Sequence, residues 1–215
     1  MKHYGFRKFT TYAATALILL GTGCENKDKT AGKDYGDNDP NLVACMGDSL
    51  TMGYMSQGAP YPQRLAALTG KNVLDYGVGG IRSDYGASIV SSVVARKPAY
   101  VCILYGSNDA ISFSFAGPEG TVNNLRRIVS VCRANNCIPI LATIPPMNGA
   151  HEVFNGNVTR VVEAVREFAK EEKICLVDLH KAFGDGEKYL NPADGLHLTE
   201  EGGDLIAKKF AAKIP

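Results

Sequence analysis

Leu42-Val43-Ala44-Cys45-Met46-Gly47-Asp48-Ser49-Leu50-Thr51 is the stretch on which the reading of this chain turns. Five apolar residues in a row suit a buried strand, and the Gly-Asp-Ser that follows suits a turn. The same unit recurs downstream. Short apolar runs predict strands at 72–76, 99–104, 138–143 and 174–177. Between them lie longer stretches of helical spacing. One covers 61–68 and stops at Gly70. Another covers 85–96, with Ile89, Val90, Val93 and Val94 on one face, and ends before Pro98. Others cover 121–134 (Leu125, Ile128, Val129, Cys132), 158–173 (Val161, Val162, Val165, Phe168) and 199–213. Five strands alternating with helices predict an α/β chain, a three-layer α/β/α sandwich with a mainly parallel five-stranded sheet. Such sheets place their chemistry at the carboxyl ends of the strands. The loops after the first three strands carry Ser49, Gly79-Gly80 and Asn108, so three distant parts of the sequence are expected at one edge of the sheet.

The chain has 215 residues, 45% of them hydrophobic, and a net charge of +1, which suits one globular catalytic domain behind a short leader. No basic patch or run points to nucleic acid. Residues 1–23 read as an export signal: Lys2, Arg7 and Lys8, then an apolar stretch over 11–20 that is too short to span a bilayer, which needs about 20 residues. Leu20-Gly21-Thr22-Gly23-Cys24 is similar to a bacterial lipobox, which implies lipidation of Cys24; the departure is Gly21, where Leu is usual. Residues 24–40 are polar and read as a flexible tether, with the folded domain (41–215) starting near Asn41.

With Cys24 set aside, five cysteines remain, an odd number that argues against a full disulfide framework. Cys45, Cys102 and Cys175 sit in strand-like runs and read as small core residues. Cys132 and Cys137 flank four residues and could form a local disulfide or stay as two thiols. No cysteine has the paired spacing of a zinc site, and His3, His151 and His180 show no metal spacing either.

Asp194-Gly195-Leu196-His197 offers a carboxylate three residues before an imidazole, close enough in a turn to fix the ring's tautomer and leave the other nitrogen free for a nucleophile. Ser49 needs such a base, because a serine hydroxyl attacks poorly until its proton is removed. Gly80 could offer an unobstructed backbone N–H, and Asn108 a side-chain amide, to a developing oxyanion. Each feature alone also fits a plain structural role: a turn, a loop cap or a surface side chain.

Taken together, four segments resemble the signature blocks of the SGNH hydrolases, the GDSL esterase/lipase family, and the resemblance runs from Leu42 to the C-terminus. They are Gly47-Asp48-Ser49-Leu50-Thr51, Leu74-Asp75-Tyr76-Gly77-Val78-Gly79-Gly80, Gly106-Ser107-Asn108-Asp109 and Asp194-Gly195-Leu196-His197-Leu198. The resemblance implies a flavodoxin-like fold and a triad of Ser49, Asp194 and His197. It also implies an oxyanion hole of Ser49 N–H, Gly80 N–H and Asn108. It implies hydrolysis of carboxylic esters through an acyl-enzyme, with no cofactor and no metal. Two positions depart from the family pattern: Asp75, where Asn is frequent, and Ile81-Arg82, where a polar or acidic residue is common. Arg82 reads as a solvated side chain, with an acidic substrate group as the alternative.

The α/β-hydrolase elbow is excluded because Thr51 stands where its second glycine belongs, and the glycines at 77–80 lack the rest of a dinucleotide fingerprint. The substrate stays open between a small-molecule or glycan ester, deacetylated at the sugar, and the acyl esters of a lysophospholipase or thioesterase. A non-catalytic glycan-binding module on the same fold is the reading from a different class. The remaining expected partner is the membrane, through the N-terminal lipid anchor, with the domain facing the periplasm or cell exterior, or otherwise secreted.

Overall fold

The computed structural model describes residue 1 and residues 32–56, 58–112 and 117–215. Residues 2–23 of the expected export signal and Cys24 lie outside the described residues, as do Phe113 and Phe115, two aromatic side chains that the sequence offers either to a pocket lining or to packing within a loop.

Five strands form one parallel sheet: β1 (Asp39–Gly47), β2 (Asn72–Gly77), β3 (Pro98–Leu104), β4 (Ile138–Ala142) and β5 (Cys175–Val177), in the order β2-β1-β3-β4-β5. The inner strand β3 is buried at every residue, as the continuous apolar run requires of a parallel strand covered on both faces. The helices are α2 (Tyr61–Thr69), α3 (Ser83–Val94), α5 (Gly117–Ala134), α6 (Asn155–Glu171) and α8 (Glu200–Ala211), with three single-turn helices, α1 (Ser49–Met52), α4 (Ser107–Ile111) and α7 (Leu179–Phe183). α2 packs on α8, while α3, α5 and α6 pack side by side. Tyr61 of α2 stacks on Phe210 of α8, ring centroids 5.6 Å apart, with both side chains fully buried.

The five strands and five long helices lie within a few residues of their expected spans. The sequence carries no signal for α1, α4, α7 or the 3-10 helix Gly149–Phe154, because one or two turns are too short to display a period. The packed body reaches a few residues before Asn41. β1 begins at Asp39, whose N–H donates to Lys97 O at 2.8 Å. Tyr35 packs against the core, and Asn38 is buried and donates to Asn135 O at 2.8 Å. The end of the polar segment thus docks through one aromatic ring and one amide, which composition does not register. Cys45, Cys102, Cys132, Cys137 and Cys175 are all buried and none of them forms a disulfide, so Cys132 and Cys137 stay as two thiols.

The strand register places the site. Gly47 at the end of β1 lies level with Gly77 of β2 and Leu104 of β3. Chain order reverses at β1, since β2 lies on one side of it and β3 on the other. This is the switch point where open α/β sheets leave a crevice at the strand ends.

Candidate active site

Three loops leave the sheet at that crevice. The first is capped by Asp48, whose Oδ1 accepts from Leu50 N at 3.0 Å and starts α1 with Ser49 in its first position. The second contains Gly80 at φ +74, a left-handed conformation in which glycine carries no penalty. The third enters α4 with Asn108, whose Nδ2 donates to Ile81 O at 2.9 Å and makes a longer contact of 3.4 Å to Asp48 Oδ2.

The final block arrives from the far end of the sequence. A bridge between Leu190 and Leu198 and the bond from Asn191 N to His197 O (2.7 Å) close residues 190–198 into a loop. Asp194 Oδ1 accepts from Leu196 N (2.9 Å) and His197 N (3.0 Å), while Oδ2 lies 2.6 Å from His197 Nδ1. His197 Nε2 lies 3.1 Å from Ser49 Oγ. Burial works to raise the Asp194 pKa, but the hydrogen bonds from the His197 ring and from the two main-chain N–H groups outweigh it and hold the carboxyl below its ordinary value. The carboxylate therefore stays ionised beside the imidazole. Such a line can draw a proton from a serine hydroxyl and stabilise the imidazolium that results.

Ser49, Gly79, Gly80, Asn108 and His197 line one cleft of about 330 Å³, whose remaining walls are Met52, Tyr54 and Leu196. Tyr54 meets the His197 ring edge-on, centroids 4.9 Å apart. All five residues expected to form the site meet here or, for Asp194, directly behind it. Among the described residues no group of three or more His, Cys, Asp or Glu side chains is placed to hold a metal ion.

Comparison with known proteins matches the model of the GDSL-like lipase/acylhydrolase family over residues 45–205. The chain belongs to that family. It is 24% identical to an uncharacterized lipoprotein of Bacillus subtilis, YqeF, over 88% of this chain and 91% of the relative. It is 28% identical to an isoamyl acetate-hydrolyzing esterase of Saccharomyces cerevisiae over 61% of this chain and 63% of that one. The lipase/acylhydrolase structure from Enterococcus faecalis shares its fold, with a TM-score of 0.71 at 23% identity, covering 81% of this chain and 95% of the other. The four blocks quoted from the sequence run from Gly47 to Leu198 and so fall within the matched residues.

This GDSL-family chain also uses residues to which the sequence assigned no role. Asp48 is wholly buried, between Leu50 N and the Asn108 amide. Asp109 ties α4 to the start of α3, accepting from Ser83 Oγ (2.5 Å), Ser83 N (3.0 Å) and Thr121 Oγ1 (3.3 Å). Both acids stood inside the quoted blocks, but nothing in the sequence marks a side chain as pointing inward. Arg82 pairs with Asp84 at 2.9 Å and reaches Ser112 at 3.4 Å, beside Gly80 and Asn108.

Proposed function

We propose that this chain is a serine esterase that cleaves carboxylic esters of short acyl groups through an acyl-enzyme on Ser49. The observation that carries the reading is the continuous line from Ser49 Oγ through His197 (3.1 Å) to Asp194 (2.6 Å) at the floor of an open cleft. His197 takes the Ser49 proton as Oγ attacks the ester carbonyl. The oxyanion then lies toward the N–H groups of Ser49 and Gly80 and the Asn108 amide. The protonated His197 gives its proton to the departing alcohol, and water, activated by the same imidazole, cleaves the acyl-enzyme.

Two observations favour a short acyl group. The cleft, at about 330 Å³, lies at the small end of the roughly 300–1,000 Å³ of ligand sites. The yeast relative is described as hydrolysing isoamyl acetate, an acetyl ester. An acetylated sugar is one such substrate, with the carbohydrate as the leaving alcohol. For location, we propose a lipoprotein held outside the cytoplasm through Cys24; the charged and apolar leader and the Bacillus lipoprotein relative support this.

The test is a hydrolysis panel of p-nitrophenyl esters from acetate to long chains, with acetylated sugars alongside. Activity is expected to be highest on acetyl esters and absent in Ser49→Ala, and a fluorophosphonate is expected to label Ser49. Labelling elsewhere, or full activity in Ser49→Ala, would sink the assignment. A folded protein that binds glycans but resists the probe would instead be a binding module.

A further inference from the structure

The segment leaving β4 folds back on itself. Asn155 grips Met147 on both main-chain sides, Met147 N donating to Asn155 Oδ1 at 3.0 Å and Asn155 Nδ2 donating to Met147 O at 2.7 Å. From this clasp two donors reach the loop that carries the acid. Asn148 N–H donates to Gly195 O at 2.7 Å, and His151 Nδ1 lies 2.8 Å from Asp194 O. A carbonyl oxygen only accepts, so His151 Nδ1 must carry the proton of that bond. Gly195 sits at φ +69 with its missing side chain facing the Asn148 main chain, so the two segments touch where any Cβ would overlap.

We propose that His151 is a positioning residue for the triad: its Nδ1–H holds the main-chain carbonyl of Asp194 and so sets where the Asp194 carboxylate and the His197 ring stand relative to Ser49. This rests on the reading of Ser49, His197 and Asp194 as the catalytic triad. The hydrogen bonds that Asp194 makes to Leu196 and His197 lie within its own loop. They fix the shape of that loop, but not its distance from the nucleophile on another strand end. The bonds from Asn148 and His151 leave the loop and tie it to the exit of β4, hence to the sheet that carries Ser49. His151 is the side-chain member of that pair and the one that substitution can remove. Misplacing reacting groups by about 1 Å can cost about 10²-fold in rate, and support of this kind keeps a site within such limits.

The experiment compares full-length wild type, His151→Leu and His151→Asn, since an asparagine amide can present a donor near the position of Nδ1. For p-nitrophenyl acetate, His151→Leu is expected to lower kcat about tenfold, the rate equivalent of one good hydrogen bond, with KM within about twofold. His151→Asn is expected to restore kcat to within about threefold. In proton NMR the low-field resonance of the His197 Nδ1–H bound to Asp194 should shift or broaden in the leucine variant and return in the asparagine variant. Wild-type kcat and an unchanged resonance in His151→Leu would overturn the proposal. Equal losses in both variants would also overturn it, because ring volume rather than the donor would then matter. Ser49→Ala in the same assay tests the triad reading separately, and the NMR comparison decides the role of His151 even if that reading falls.

Discussion

Replacing Asp48 by asparagine should change how stability depends on pH. Asp48 is 0% exposed, and burial is the largest influence on its carboxyl, pushing the pKa from the ordinary 3.8 up to about 7. The neighbouring Asp109 carboxylate pushes the same way. The N–H of Leu50, at 3.0 Å, and the Asn108 amide, at 3.4 Å, oppose it without cancelling it. Below about pH 4 the carboxyl is protonated in folded and unfolded chains alike and contributes no difference. Between about pH 4 and 7 the unfolded chain releases the proton while the folded chain keeps it, so stability falls as pH rises and levels off above the folded pKa. About three pH units at about 1.4 kcal/mol each give on the order of 4 kcal/mol, a large share of the roughly 5–15 kcal/mol typical of a domain. Asparagine does not titrate, so Asp48→Asn should gain on wild type by that amount between pH 4 and 8, whatever its stability at pH 4. Urea unfolding followed by far-ultraviolet circular dichroism at one-unit steps of pH measures the difference directly. A gap between the two proteins that stays constant across the range would refute the reasoning, because Asp48 would then titrate alike in both states.

Two further substitutions test neighbouring parts of the site. Asn108→Ala removes an amide that lines the cleft and, under the proposed role of that amide as an oxyanion donor, should lower kcat about 10²–10³-fold with little change in KM; a loss confined to KM would place the residue in ground-state binding instead. Gly195→Ala forces a side chain against the Asn148 main chain at φ +69, and should cost about 1–3 kcal/mol from the backbone conformation alone. Its thermal midpoint should drop together with kcat, and a variant with wild-type values of both would show that this contact does not constrain the loop.

Much of the molecule was legible in the chain because its signals are local. A run such as Val101-Cys102-Ile103-Leu104 can only be satisfied by burial on both faces, and the spacing of Val161, Val162 and Val165 places them on one helical stripe, so strands and long helices follow from neighbours alone. The candidate site was legible for a different reason: Ser49, Gly80, Asn108, Asp194 and His197 lie in short blocks whose order and spacing resemble a family. Single-turn helices escaped notice because four or five residues show no period, and the docking of Tyr35 and Asn38 because it depends on partners at Tyr100 and Asn135.

What the sequence by itself determined is that a hydroxyl, an imidazole and a carboxylate stand on loops beyond the strands of a parallel sheet. Only the tertiary structure decided that His197 lies 3.1 Å from a serine 148 residues away, that the Asp48 side chain is fully buried, and that His151 Nδ1 meets the carbonyl of Asp194. The physical reason is that periodicity assigns a residue to an element and a face, while distances between loops follow from strand register, the reversal at β1 and the clasp leaving β4. Those are set by packing across the whole sheet, and no stretch of neighbouring residues carries them.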